Sequence, residues 1–165
     1  MTKEELLLYL EETRKGFLDS VARLTEEQMY TRIAPDEWTV AEILAHLPVA
    51  ERHLLGQARA VYTEGLEEIR FMSRDERQTA AERSQQMVPP QMVNDMIGAR
   101  RQTLKFIDGL TDIDLDKPTS HRKLGPMTLG SVLRTIGYHE SDHEQHVRRL
   151  RDAMAAAPGE ASPQS

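Results

Sequence analysis

Two histidines, His139 and His143, lie four residues apart in a segment of helical periodicity. Residues at positions i and i+4 of an α-helix lie one turn apart on the same face. Neutral imidazole is the commonest side-chain ligand of protein-bound metal ions. The spacing therefore predicts that this pair can hold one divalent ion between adjacent turns of a helix.

The apolar pattern around this pair indicates that both imidazoles are buried. Aliphatic residues recur at three- and four-residue steps along the segment, at Leu129, Val132, Ile136, Val147, Leu150 and Met154. Positions 139 and 143 fall within the same stripe. Burying an unpartnered polar side chain costs ~1–3 kcal/mol. Two histidines at such positions therefore favour a shared metal ion, and mutual hydrogen bonding of the imidazoles is the simplest alternative.

A third histidine, His46, lies beside the apolar stripe of another helical pattern, where Ile43 and Ala50 flank it. Three imidazoles from two helices would form a site with open coordination positions, the arrangement used where an ion must also bind water or substrate. His146 is the main rival ligand, because it follows His143 by three residues on the inner face. We expect it instead to line the pocket or to orient a ligand, and it is a candidate catalytic residue.

Three further polar residues are candidates for roles around these imidazoles. His53 follows His46 by two turns on nearly the same face, and Glu42 precedes it by one turn. Asp142 is the neighbour of His143. We expect His53, Glu42 and Asp142 to line the pocket or to orient a metal ligand. A solvated charge or a helix cap is the simpler role for each carboxylate.

Glu140 is the second catalytic candidate. It is turned ~100° from His139 around the helix axis, so we expect it at the edge of the helix packing or facing solvent. The alternative is a role as a base or as the partner of an imidazole. The three residues His139, Glu140 and His143 also match the His-Glu-x-x-His signature of zinc proteases. The sheet that precedes this signature in those enzymes is missing from the pattern, so we discount that interpretation.

Four amphipathic helical patterns can position these residues. They begin at a capping box on Thr2, at a second capping box on Thr39, at the Pro89–Pro90 pair and at Thr128. No alternation typical of a β-strand of useful length is present. We therefore predict an all-α protein, a four-helix bundle with a long crossover between its second and third helices.

The crossover and the end of the chain differ in composition from the helices. Residues 65–88 form the long connection, and Ser73 followed by Glu76 predicts a short polar helix within it. Residues 1–155 are expected to form a single bundle domain. Residues 156–165 are small, polar and proline-containing, which predicts a disordered tail.

Composition excludes several classes of function. The 165-residue chain carries a formal net charge of −6, which argues against nucleic acid and anionic membranes as partners. It has no cysteine, so disulfides, thiolate ligands and a cysteine nucleophile are excluded. No apolar run approaches the ~20 residues needed to cross a bilayer. We expect a cytoplasmic protein that acts on a small-molecule substrate and that could form a homodimer through an exposed helix face.

Three segments resemble proteins of the DinB-like family. Residues 38–47 are similar to the start of the family's second helix, which carries a first metal histidine. Residues 125–133 resemble the start of its last helix, and residues 139–143 match its closing pair of histidines. The three segments occur in the family's order and span nearly the whole chain.

The resemblance implies a four-helix bundle of up-down-down-up topology. It also implies that His46, His139 and His143 hold zinc, nickel or a similar divalent ion. Members often have glutamine three residues after the last histidine, where this chain has His146. Relatives include transferases or isomerases that depend on bacillithiol or mycothiol, and metal-dependent hydrolases.

Two hypotheses of function follow. In the first, the protein is an enzyme whose three-histidine ion activates a water molecule or an external low-molecular-weight thiol against a small electrophile. The reaction would be thiol transfer or hydrolysis, and the resemblance favours thiol transfer. In the second, the protein is a non-catalytic, metal-stabilised helical bundle with a structural or partner-binding role. That alternative predicts a closed four-ligand site that includes His146.

Overall fold

The computed structural model describes residues 1–156, which form an all-helical bundle with one small hairpin. Its α-helices are α1 (Lys3–Val21), α2 (Glu26–Met29), α3 (Val40–Glu64), α4 (Arg74–Glu82), α5 (Pro89–Asp108) and α6 (Leu129–Ala156). Short 3₁₀ turns lie at Arg83–Gln86 and Ile113–Asp116, and the strands are β1 (Pro118–His121) and β2 (Gly125–Thr128). Of the predicted tail, Ala156 belongs to α6, and residues 157–165 lie outside the described residues.

Helices α1, α3 and α4 begin at side-chain caps that the sequence predicts. The Oγ1 of Thr2 accepts a hydrogen bond from the backbone of Glu5, and the Glu5 carboxylate accepts one from the Thr2 backbone. Thr39 and Glu42 form the same reciprocal pair at the start of α3. Ser73 caps α4, the short polar helix of the crossover. These bonds satisfy backbone donors that a helix start leaves free.

The sequence pattern predicts no strand, and this is wrong for the segment before α6. Strands β1 and β2 pair antiparallel, with His121 opposite Gly125. Each has four residues, which is too short for an alternating pattern to be recognised. The hairpin is held by tertiary contacts, since the backbone N–H of Ile69 donates to the carbonyl of Ser120 at 2.8 Å. It therefore fastens the crossover to the start of α6.

The apolar core forms two clusters at opposite ends of the bundle. The first contains the start of α1, the ends of α3 and α5, and the start of α6, with Leu6, Leu10, Leu54, Ala58, Val61, Ile107, Leu129, Val132 and Ile136. The second contains the other end of each helix, with Phe17, Val21, Ile43, Leu44, Leu47, Met92, Met96, Val147 and Leu150. Helices α1 and α6 therefore run in one direction, and α3 and α5 run in the other.

Helix α6 lies between α1 and α3, while α3 also contacts α5 and α4. The crossover places α4 against α3, and Arg77 of α4 is near enough to His46 for its charge to act on that ring. Within residues 1–156, no helix is both long and apolar enough to cross a membrane.

Candidate metal centre

Three predicted ligands converge on one point between α3 and α6. His46 comes from α3, and His139 and His143 come from adjacent turns of α6. The Nε2 of His139 lies 3.2 Å from the Nε2 of His46 and 3.1 Å from the Nε2 of His143. One ring nitrogen from each histidine lies within 4.8 Å of the others. Imidazole nitrogens ligate a transition metal at ~2.0–2.1 Å, and this spacing suits a common ion.

The tautomer of His46 follows from its second ring nitrogen. Its Nδ1 lies 2.8 Å from the carbonyl oxygen of Ile43, which can only accept, so Nδ1 carries the proton. The Nε2 of the neutral ring therefore presents a lone pair to the other imidazoles. A backbone carbonyl that holds the remote nitrogen is typical of metal-bound histidines, because it sets ring orientation and raises basicity.

Mutual hydrogen bonding does not satisfy the three imidazoles. The Nε2 of His139 donates to His46 if it carries the proton and accepts from His143 if it does not, and either tautomer leaves one Nε2 lone pair without a donor. The Nδ1 of His143 is also buried and has no hydrogen-bond partner among the described residues. Unpaired buried polar atoms cost free energy. A bound cation would use all three lone pairs, so these residues fit a metal ion.

Burial lowers the pKa of all three imidazoles, to about 3 for His46, about 4 for His139 and about 2 for His143. The main cause is loss of hydration of the charged form. Neighbouring imidazoles lower the pKa of His46 and His143 further, and the positive charge of Arg77 acts in the same direction on all three. Asp142 opposes the shift at His139. All three rings are therefore neutral at pH 7, the form that binds metal.

The rival ligand His146 is held by another residue. Its Nε2 donates to the Oε1 of Glu37 at 3.1 Å, and its ring centroid lies 5.7 Å from that of His143. It is outside the group of converging nitrogens. Trp38, which neighbours Glu37 in sequence, packs its ring edge-on to His46 at 4.7 Å and parallel to His143 at 6.4 Å.

Of the other candidates, two line a cavity and one does not. His53 and Asp142 border a cavity of about 190 Å³ next to His139. His53 Nε2 donates to the carbonyl of Arg70 at 2.8 Å, so it holds the crossover and not an imidazole. Glu42 instead caps α3 and accepts from Arg32 at 2.7 Å. Capping and this ion pair use both of its oxygens, so its carboxylate has the alternative role expected for it, that of a helix cap.

The expected position of Glu140 at an edge or in solvent is wrong. Its residue surface is only 2% exposed. Because α6 contacts both α1 and α3, the face that is ~100° from His139 points into the bundle and not to solvent. Arg14 Nε donates to its Oε1 at 2.7 Å, and Thr13 donates to its Oε2. A carboxylate neutralised in this way is a poor candidate for a base.

Glu140 belongs to a buried group of two arginines and two glutamates, which we call the charge layer: Arg14, Glu51, Arg100 and Glu140. Each of the four long helices contributes one residue. Arg14 and Arg100 donate to Glu51 at 3.0 and 2.9 Å. Arg100 Nη2 lies 2.9 Å from Glu140 Oε1, although their alignment does not make a hydrogen bond. The pattern of the sequence did not reveal this layer, since each charge occurs singly on its own helix.

Arg77 borders two cavities near the centre, and one of them contains an imidazole, that of His139. The 190 Å³ cavity contains His139 and Asp142 together with apolar side chains, Leu54, Phe71 and Met72 among them. A larger and more open cavity of about 540 Å³ contains Trp38, Glu37 and His146. The smaller cavity therefore reaches His139, and the larger one reaches Trp38, which packs against His46 and His143.

Three neutral imidazoles on two helices of a four-helix bundle, with adjoining cavities, define a helical protein with an interior candidate metal centre. A family model of the DinB superfamily matches residues 9–161. The chain therefore belongs to the DinB superfamily, and the resemblance noted in its sequence is confirmed. A comparison with curated protein sequences finds no significant match.

Solved structures share the fold at low sequence identity. YfiT from Bacillus subtilis, described as a probable metal-dependent hydrolase with an unusual four-helix bundle topology, has a TM-score of 0.76 at 20% identity, over 93% of this chain and 87% of that one. A Streptococcus pneumoniae protein has a TM-score of 0.71 at 16% identity, over 93% and 92%. A mycothiol-dependent maleylpyruvate isomerase has a TM-score of 0.70 at 13% identity, over 89% of this chain but 61% of that one.

Proposed function

We propose that His46, His139 and His143 hold a divalent metal ion, zinc or nickel, and that the protein is an enzyme acting on a small electrophile. The convergence of three Nε2 lone pairs carries the proposal. Three protein ligands leave coordination positions for water or substrate, as in catalytic metal sites. Two observations favour this function over a closed structural site: Glu37 engages His146, and the smaller cavity reaches His139.

The ion, when bound, would lower the pKa of a water or thiol in its open position. The chain's own residues supply orientation and proton transfer. The Nε2 of His146 donates to Glu37, so its Nδ1 is the ring nitrogen that would accept a proton from the nucleophile. Trp38 covers the rings of His46 and His143 and restricts water there.

We favour thiol transfer over hydrolysis. The chain contains no cysteine, so the thiol must be an external, low-molecular-weight one. In substitution on an alkyl chloride, the sulfur lone pair forms the new carbon–sulfur bond and chloride leaves with the bonding electron pair. The thiol proton passes to His146. The mycothiol dependence of one structural neighbour supports a thiol of this class.

The first experiment measures metal content in protein purified without a histidine tag or immobilised nickel. Zinc, nickel and cobalt are each added to the apoprotein, and bound metal is measured after removal of the excess. We expect about one ion per wild-type chain, a site typical of three imidazoles. His143→Ala should lose the ion, whereas His53→Ala, a matched control outside the centre, should keep it. An equal metal content in His143→Ala would contradict the proposed site.

The second experiment separates the reactions. Monochlorobimane is incubated with metal-loaded protein and bacillithiol, with mycothiol, or without a thiol. Thiol transfer predicts a fluorescent thioether and an equivalent loss of free thiol, only with metal present. Chloride release without a thiol would indicate hydrolysis. Thioether formation at the same rate with His143→Ala would exclude a role of the centre in that reaction.

The physiological setting belongs to the same proposal. We propose that the protein acts in the cytoplasm on small molecules, without nucleic-acid or membrane partners, and that it can form homodimers. The formal net charge of −6 supports the first part, because it disfavours phosphate backbones and anionic lipid. Sedimentation of the metal-loaded protein measures its oligomeric state directly.

A further inference from the structure

Arg77 of α4 is a cation beside the three imidazoles with no carboxylate partner among residues 1–156. Arg77 and its neighbour on α4, Arg74, form no ion pair within 4 Å of a carboxylate, whereas seven arginines of the described residues do: Arg14, Arg32, Arg52, Arg70, Arg83, Arg100 and Arg148. The side chain of Arg77 donates no hydrogen bond within the described residues, and it borders both cavities, the smaller of which contains His139. An unpaired guanidinium has its full hydrogen-bonding capacity for an anionic ligand.

The smaller cavity limits what that ligand can be. Its wall combines apolar side chains with one cation, Arg77, and one anion, Asp142. These two charges form no ion pair with each other, although they face the same space. Apolar walls with a few placed charges are typical of sites for small molecules, in which the charges fix the orientation. At about 190 Å³, the cavity holds a fragment of a few carbon atoms.

We propose that Arg77 binds the carboxylate of the ligand whose sulfur occupies the centre, and that the ligand's short apolar part lies against Leu54, Phe71 and Met72. The inference rests on the proposed function, since it places a thiol at the three imidazoles. Guanidinium is suited to a carboxylate, because its N–H groups match the two oxygens. Asp142 faces the same cavity, so a second negative charge on the ligand would be repelled there.

The test uses full-length, cobalt-loaded protein, because thiolate binding to cobalt produces an absorption band. Mercaptoacetate, 3-mercaptopropionate and 4-mercaptobutanoate are titrated against the alcohols of matching length, and cysteamine serves as the cationic thiol. We expect the best carboxylate to bind ~10-fold more tightly than its alcohol, because hydrogen bonds to charged groups are strong. The preferred chain length measures the separation between the centre and Arg77.

Substitutions test whether Arg77 causes the preference for a carboxylate over an alcohol. Arg77→Met should reduce the carboxylate preference to ~2-fold or less. Arg77→Lys should retain part of it, because lysine keeps the positive charge but lacks the paired N–H donors of guanidinium. Arg74→Met is the matched control, because Arg74 borders only the larger cavity and the preference should persist. Arg77 is exposed, so these variants should fold, which circular dichroism and cobalt content check.

The outcomes separate this inference from the proposed function. If thiols bind but carboxylate and alcohol bind equally, or if Arg77→Met keeps the preference, the role of Arg77 is wrong and the metal site stands. Loss of the preference in Arg74→Met alone would place the carboxylate in the larger cavity and would overturn the assignment. Failure to bind cobalt or any thiol overturns both proposals together.

Discussion

The bundle contains two buried polar groups on neighbouring turns, and they are satisfied in opposite ways. The charge layer pairs two arginines with two glutamates, and carbonyls and threonine hydroxyls supply further hydrogen bonds, although the Nη2 of Arg100 makes none. The three imidazoles have the same chemistry as one another, so they cannot neutralise or fully hydrogen-bond themselves. His139 and Glu140 are adjacent in sequence but belong to different groups.

The difference indicates which group serves structure and which serves binding. In the charge layer, burial opposes the charge of Arg100, but Glu140 and Glu51 outweigh burial and raise its pKa above the usual value. The group is charged and internally paired. At the imidazoles, burial is the main influence on the pKa values and lowers all three, so the rings are neutral and keep lone pairs for a ligand. The imidazoles therefore have lone pairs for an external cation, whereas the charges of the layer neutralise one another.

The largest expected effect of a single substitution concerns the charge layer. Glu140→Ala leaves Arg14 and Arg100 with a single buried carboxylate, and breaking a buried ion pair from one side costs about 3–5 kcal/mol. Urea unfolding measures this loss. The control is Glu144→Ala, which removes a partly exposed pair with Arg148 and should cost less than about 1 kcal/mol. Similar losses in the two variants would show that the layer is not a special source of stability.

Acid should destabilise the metal-free protein through the imidazoles. The pKa of an unfolded histidine is about 6.5, whereas the folded values are about 3, 4 and 2. Below pH 6.5 the unfolded chain therefore binds protons that the native state does not. Stability should fall with decreasing pH, by up to about 1.4 kcal/mol per pH unit for each histidine. Unfolding in urea between pH 7 and pH 5 measures the slope, and saturating zinc at pH 7 provides the reference.

Replacing one imidazole should change the free energy of unfolding in opposite directions with and without bound metal. His143→Leu removes a buried Nδ1 that has no partner, so the metal-free variant should be as stable as wild type or up to about 1 kcal/mol more stable. With zinc at a thousandfold above its dissociation constant, wild type gains about 4 kcal/mol and the variant does not. Thermal unfolding with chelator and with zinc measures both. A clear loss of stability in chelator would show that the imidazoles satisfy one another.

The smallest expected effect lies at the boundary of the centre. His146→Gln keeps a side chain that can donate to Glu37, and the exposed fractions of the two side chains are 17% and 33%. We expect unfolding free energy to change by less than about 0.5 kcal/mol and metal content to remain at the wild-type value. Thioether formation should slow, because glutamine cannot accept the proton. Loss of metal from this variant would instead make His146 a ligand.

Much of the fold could be predicted because its signals are local. The capping boxes at Thr2 and Thr39 involve residues within one turn, and proline at position 89 suits a helix start regardless of its surroundings. The hairpin could not be predicted in this way. Its strands are short, and the contact between Ile69 and Ser120 that holds it joins residues far apart in sequence.

The pairing of His139 with His143 was determined by the sequence alone, because i and i+4 meet on any regular helix. Tertiary structure decided the rest of the site. His46 meets them only because α3 packs on α6 with their turns aligned, and Glu140 is buried because α1 covers the face that would otherwise be solvated. Arg77 reaches the cavity beside His139 because the crossover places α4 there. A helical pattern specifies which residues share a face, whereas the number and placement of neighbouring helices decide what that face contacts.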